Sequence, residues 1–114
     1  MDESLEKALE FSNYSVTFNN QKRLLQEKYQ EDLLLYTLGG KFAVSKELIS
    51  FCWVLKNTTN NTVIVDENST PIQIDDLDSF LTDAIARYTE ATNQYLSDYK
   101  KLSTERSVEG LIDV

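Results

Sequence analysis

Five acidic side chains, Asp66, Glu67, Asp75, Asp76 and Asp78, come closest in this chain to a grouping that could do chemistry. Carboxylates gathered in this way could hold a hard cation or exchange a proton. A calcium loop, however, sets oxygen ligands at alternating positions around a turn that glycine permits, and that spacing is absent. Asp66 and Glu67 read better as the tip of a hairpin, and Asp75 and Asp76 as the start of a helix. Two carboxylates could meet across the hairpin for acid–base work, but no spacing compels it. Nucleophilic chemistry has less to draw on. The chain has no histidine, so the common triads are excluded. Its one cysteine, Cys52, sits between Phe51 and Trp53 with no base to activate it, and is expected as a small core residue. Gly39-Gly40-Lys41 lacks the spacing of a phosphate-cradling loop. These residues point to a non-enzymatic protein, with no catalytic residue, no cofactor and no metal.

Recognition of another protein is the chemistry the remaining residues suit. Tyr88, Tyr95 and Tyr99 fall on one helical stripe, where rings can pack and hydroxyls can reach water. The last four residues, Leu111, Ile112, Asp113 and Val114, form an apolar and acidic end that could dock as a short peptide, or fold back or fray. Both sets are candidate protein-binding residues. The formal net charge of −8 is unevenly placed: residues 1–56 are close to neutral, whereas 57–114 carry eleven acids against Arg87, Lys100, Lys101 and Arg106. That field disfavours direct nucleic-acid binding, which needs clustered cations to displace counterions from phosphate. It permits docking on a basic protein surface. Lys22, Arg23 and Lys28 make a small basic patch, read as a solvated face balancing Glu27, Glu31 and Asp32.

The elements that must position these residues follow from periodicity and breakers. Residues 5–38 read as one long helix with a weak middle at 12–20, where Tyr14, Val16 and Phe18 also fit a strand. Three- and four-residue steps through Phe11, Tyr14, Phe18, Lys22, Leu25, Tyr29, Leu33 and Tyr36 favour the helix. Gly39-Gly40 then reads as its stop, because glycine tolerates the left-handed conformation that ends helices. A short strand at 41–44 precedes an apolar helix at 46–56, capped by Ser45 and expected to be central because apolar residues surround it. Residues 62–65 and 70–74 read as a hairpin, with Pro71 at an edge and 42–44 open as a third strand. Asp75-Asp76 opens a second long helix, whose stripe runs Leu77, Leu81, Ile85, Tyr88, Thr92, Tyr95, Tyr99 and Leu102. The expected fold is mainly helical α+β. It has two long antiparallel helices, a short central apolar helix and a small antiparallel hairpin, in a single domain over 1–114 with a flexible tail at 103–114. No apolar run approaches the ~20 residues that span a bilayer. The start Met1-Asp2-Glu3-Ser4 lacks the layout of a signal peptide, so a cytoplasmic protein is expected.

Four strings carry a resemblance: Met1-Asp2-Glu3-Ser4-Leu5-Glu6-Lys7-Ala8, Asn19-Asn20-Gln21-Lys22-Arg23, Gly39-Gly40-Lys41-Phe42 and Tyr88-Thr89-Glu90-Ala91-Thr92-Asn93-Gln94-Tyr95. Together they resemble a family of small uncharacterised proteins of T4-like marine phages, cyanophages included. None of the strings is a mechanistic motif, and the family brings no catalytic residue. The resemblance implies a setting: the host cytoplasm during infection, or the virion. A phage assembly factor or minor structural component is one expected function, acting as a homo-oligomer, with a dimer favoured, and with a protein partner. A regulator that docks on transcription or replication machinery through its acidic half or its tail is the other.

Overall fold

The computed structural model describes residues 2–112, with side chains described as far as Thr104. In chain order the elements are α1 (Glu3–Asp32), β1 (Leu34–Thr37), β2 (Gly40–Ala43), α2 (Lys46–Leu55), β3 (Thr62–Val65), β4 (Pro71–Ile74) and α3 (Leu77–Ile112). The fold is mainly helical α+β, with two long antiparallel helices, a central short helix and two small antiparallel hairpins. The chain divides into two compact units, Tyr29–Asn93 and Met1–Lys28 with Gln94–Val114, and each is described by itself.

Within Tyr29–Asn93 the core gathers Phe42, Cys52, Ile72, Ile74, Leu77, Phe80 and Leu81, with Leu35, Leu48, Ile49, Leu55 and Ile64 packed against it. Phe42 and Phe80 meet edge to face at 5.0 Å, the arrangement that the ring quadrupoles favour. Alternation sends Ile72 and Ile74 of β4 inward and leaves Pro71 and Gln73 outward, as a half-buried strand requires. Ser45 caps α2 by accepting the Leu48 N–H at 3.1 Å. The start of α3 is satisfied from two sides: Ser79 N–H donates to Asp76 Oδ1, while Leu77 N–H and Asp78 N–H donate to the Asn60 carbonyl and Oδ1. That end of α3 is therefore pinned to the turn between α2 and β3.

Three expectations change here. α1 stops at Asp32 rather than continuing to Leu38, and 34–37 is a strand paired with Gly40–Ala43, Leu35 opposite Phe42. Gly39-Gly40 is thus a hairpin feature, not a helix stop. Leu38 (φ 54) and Gly39 (φ 77) are the two central residues of the turn, both left-handed, as the twist of a two-residue hairpin demands. Gly40 is needed for space, because a Cβ there would lie 2.9 Å from Phe42 Cε2 and 3.0 Å from Ile72 Cγ1. Burial of Leu33 and Phe42 outweighs the helix propensity of Leu33, Leu34 and Leu35. Second, 42–44 adds no third strand to β3–β4; the strands form two separate two-stranded sheets. Third, α2 is buried through Cys52 and half-buried through Leu48, Ile49 and Leu55, whereas Phe51, Trp53 and Val54 remain exposed.

In the other unit α1 is helical through the doubtful stretch, and the Tyr14 and Phe18 rings stack at 6.4 Å. The seam read from three- and four-residue steps is visible there: Tyr14, Ser15, Phe18, Gln21, Lys22 and Leu25 are the partly covered residues of α1 before Lys28. Lys28 Nζ reaches Asp98 Oδ2 at 2.8 Å, and the Lys22 ammonium lies 5.8 Å from the Tyr99 ring centroid, so α1 and α3 face each other through these positions.

Candidate functional site

The acidic group of the sequence does not assemble. Among the described residues no three acidic or thiol side chains stand close enough to hold a metal ion. Asp66 instead organises the hairpin tip: Oδ1 accepts the N–H groups of Asn68 and Thr70, and Oδ2 accepts the Lys41 N–H at 2.9 Å. These backbone donors favour the charged form and hold the carboxyl below the usual carboxylate range, against a smaller opposing effect of burial. The Glu67 N–H adds a bond to the Lys41 carbonyl, so the β3–β4 turn is tied to β2 through both backbone groups of Lys41. Asp75 and Asp78 are exposed, and Asp76 is the α3 cap. Cys52 is fully buried, and burial pushes its thiol pKa up, away from the reactive thiolate.

Of the tyrosines expected to bind protein, all three are half-buried. Tyr88 belongs to the Tyr29–Asn93 unit. Tyr95 and Tyr99 contact each other edge on at 6.3 Å, and Tyr99 also carries Lys22 over its ring. Their neighbour Asp98 accepts from Lys28 and Gln94, which together hold its carboxyl below the ordinary range. Tyr95 and Tyr99 are thus engaged within their own unit. Leu111, Ile112, Asp113 and Val114 lie outside the residues whose side chains are described.

Apolar side chains open to solvent are found elsewhere. α1 has no buried residue in thirty, and it exposes Leu5, Leu9, Phe11, Val16 and Leu24. Leu5, Leu9 and Val16 recur at steps of four and seven, which places them on one stripe about half a turn from the Tyr14–Phe18–Leu25 seam. That second stripe was masked in the sequence by Asn13 and Asn20, which share it. Exposed apolar residues scattered singly are ordinary, but a 30-residue helix that buries none of its own is not. In the Tyr29–Asn93 unit, Val63 and Val65 form the outward side of β3, and Leu38 projects at the β1–β2 tip. Lys56 stands 3.8 Å above the Trp53 ring, which shields part of that face of α2. No helix is long and apolar enough to cross a membrane among the described residues. No family model, curated protein or solved structure matches this chain.

Proposed function

We propose that this chain is a non-enzymatic protein-interaction protein, an assembly factor or minor structural component encoded by a phage, which binds protein through the outer face of α1. The observation that carries this reading is the uncovered helix: thirty residues with none buried and several large apolar side chains about half exposed. Covering a fully exposed Leu or Val contributes roughly 1.5–3 kcal/mol. Completing the burial of Leu5, Leu9, Val16 and Leu24 therefore adds on the order of 4 kcal/mol before the cost of association. A self-associating or partner-bound rod uses that gain, and a free one leaves it in water. The resemblance of four strings to the phage proteins implies the setting, a host cytoplasm during infection.

The test compares tagged wild-type chain with Leu9→Glu/Val16→Glu, both purified from infected cells, with the bound proteins identified by mass spectrometry. Both substituted positions are exposed, so circular dichroism of the variant is expected to match wild type. Partners retained by the wild type and lost by the variant support the reading; an unchanged set refutes it. A second reading, a regulator that docks on transcription or replication machinery, draws on the exposed acids Asp75, Asp78 and Asp83 of the acidic half. Under that reading Asp75→Asn/Asp78→Asn/Asp83→Asn loses the partner and Leu9→Glu/Val16→Glu keeps it.

A further inference from the structure

Leu9, Val16 and Arg23 of α1, with Asp2 just before its first residue, recur every seven residues, two turns apart, so they line one side with a drift of about 20° per step. Read forward, that side is acid, apolar, apolar, base; read backward, it is base, apolar, apolar, acid. We infer that α1 pairs antiparallel with α1 of a second copy, Leu9 of each chain against Val16 of the other and Asp2 of each opposite Arg23 of the other. The inference rests on the reading of α1 as a binding arm and names its occupant.

Self-complementarity of this kind is what a two-fold interface requires, because each contact must occur twice. Lys22 and Lys28 face α3, so Arg23 is the cation on this side that antiparallel pairing can use. Antiparallel pairing sets Asp2 on Arg23; parallel pairing in register sets Asp2 on Asp2 and Arg23 on Arg23. Exposed charge pairs add little affinity, so the apolar residues supply attraction and the charges choose direction. Arg23 is available for this, because its present partner Glu27 is 3.9 Å away and both side chains are mostly exposed. Leu9 and Val16 are 47% and 57% exposed, and the opposite face of α1 is the partly covered one, so nothing intramolecular occupies the stripe among the described residues.

Disulfide trapping in the full-length chain decides the matter. Cys52 stays in place as a silent control, since it is fully buried. Leu9→Cys and Val16→Cys chains are prepared separately, then oxidised alone and as a mixture, alongside sedimentation of the wild type at high micromolar concentration. Antiparallel pairing predicts a wild-type dimer and a covalent dimer formed several-fold more in the mixture than in either variant alone. In that arrangement Leu9 of one copy and Leu9 of the other stand about 10 Å apart along the axis, beyond the reach of a disulfide. Efficient trapping of Leu9→Cys with itself means parallel pairing and overturns the inference while leaving α1 as the binding arm. A dimer that traps in neither form places the interface elsewhere and also overturns it. A wild-type monomer overturns it too, and whether α1 then binds a different protein is decided by the capture experiment rather than by this one.

Discussion

Residues 29–93 and the part of α1 that precedes them, residues 3–28, are built from similar amino acids and do opposite things with them. The first set holds every buried apolar residue among those described except Leu102; the second holds none. Phe80 is 3% exposed, in edge contact with Phe42, while Phe11 is 70% exposed. Hydrophobic content therefore says little about what a segment contributes to stability. What matters is whether a second element arrives to cover it, and for 29–93 that element is supplied by the hairpins and by α2. For α1 it is supplied in part along its seam, and its outer stripe stays exposed.

One substitution made in both regions is the hardest test of this contrast. Phe80→Ala opens a cavity in a closed core and is expected to cost about 3–5 kcal/mol. Phe11→Ala removes an exposed ring and is expected to fall within about 0.5 kcal/mol. Urea unfolding monitored by the Trp53 fluorescence reads both, and equal losses would end the contrast. Next in size is Gly40→Ala, whose new methyl meets Phe42 and Ile72 at 3.0 Å or less. Overpacking of that kind costs about 1–3 kcal/mol. Gly39→Asn, at a position with open space and positive φ, sharpens the comparison by leaving stability nearly unchanged. Smaller again, and of opposite sign, is Leu38→Asn. A leucine in the left-handed conformation costs about 1–2 kcal/mol, so the change to Asn is expected to raise the unfolding midpoint.

The same hairpin shows where the sequence could be read and where it could not. Ser45, Pro71 and Asp76 each sit where local chemistry and tertiary structure agree, as a cap, the start of an edge strand and a cap, and α2, β3–β4 and the start of α3 were legible from them. Residues 33–38 were not. Three leucines favour helix, and leucine is among the last residues expected in a left-handed turn position, so local signals contradict the hairpin that Leu35 and Phe42 make. The register of the α1 seam was legible because Tyr14, Phe18, Lys22 and Leu25 keep helical steps. The outer stripe was not, since two asparagines interrupt it and its meaning depends on burial. The helical spacing of the tyrosines was legible, whereas their half-burial was not, because spacing alone does not give a side chain's exposure.

Acid titration supplies the subtlest probe, because each region contains a carboxyl held below the usual range. For Asp66 the main cause is backbone N–H donation from Lys41 and Thr70; for Asp98 it is the side-chain bond from Lys28. A depressed folded pKa means that the ionised group stabilises the fold above its unfolded value, about 3.9. That contribution is lost as pH falls through the lower, folded value. Stability is therefore expected to be flat in this respect from neutral pH to about 4 and to decline below it. Asp66→Asn keeps one oxygen as an acceptor but cannot ionise, so it should remove part of the acid decline while lowering stability at neutral pH, where the β3–β4 tip loses its charged acceptor. Asp98→Asn should change the acid limb without altering the β3–β4 tip, whose amide hydrogen exchange at Asn68 and Thr70 reports on Asp66 alone. If Asp98→Asn accelerated exchange at Asn68 and Thr70 as much as Asp66→Asn does, the two regions would be titrating as one, and the division between them would fail.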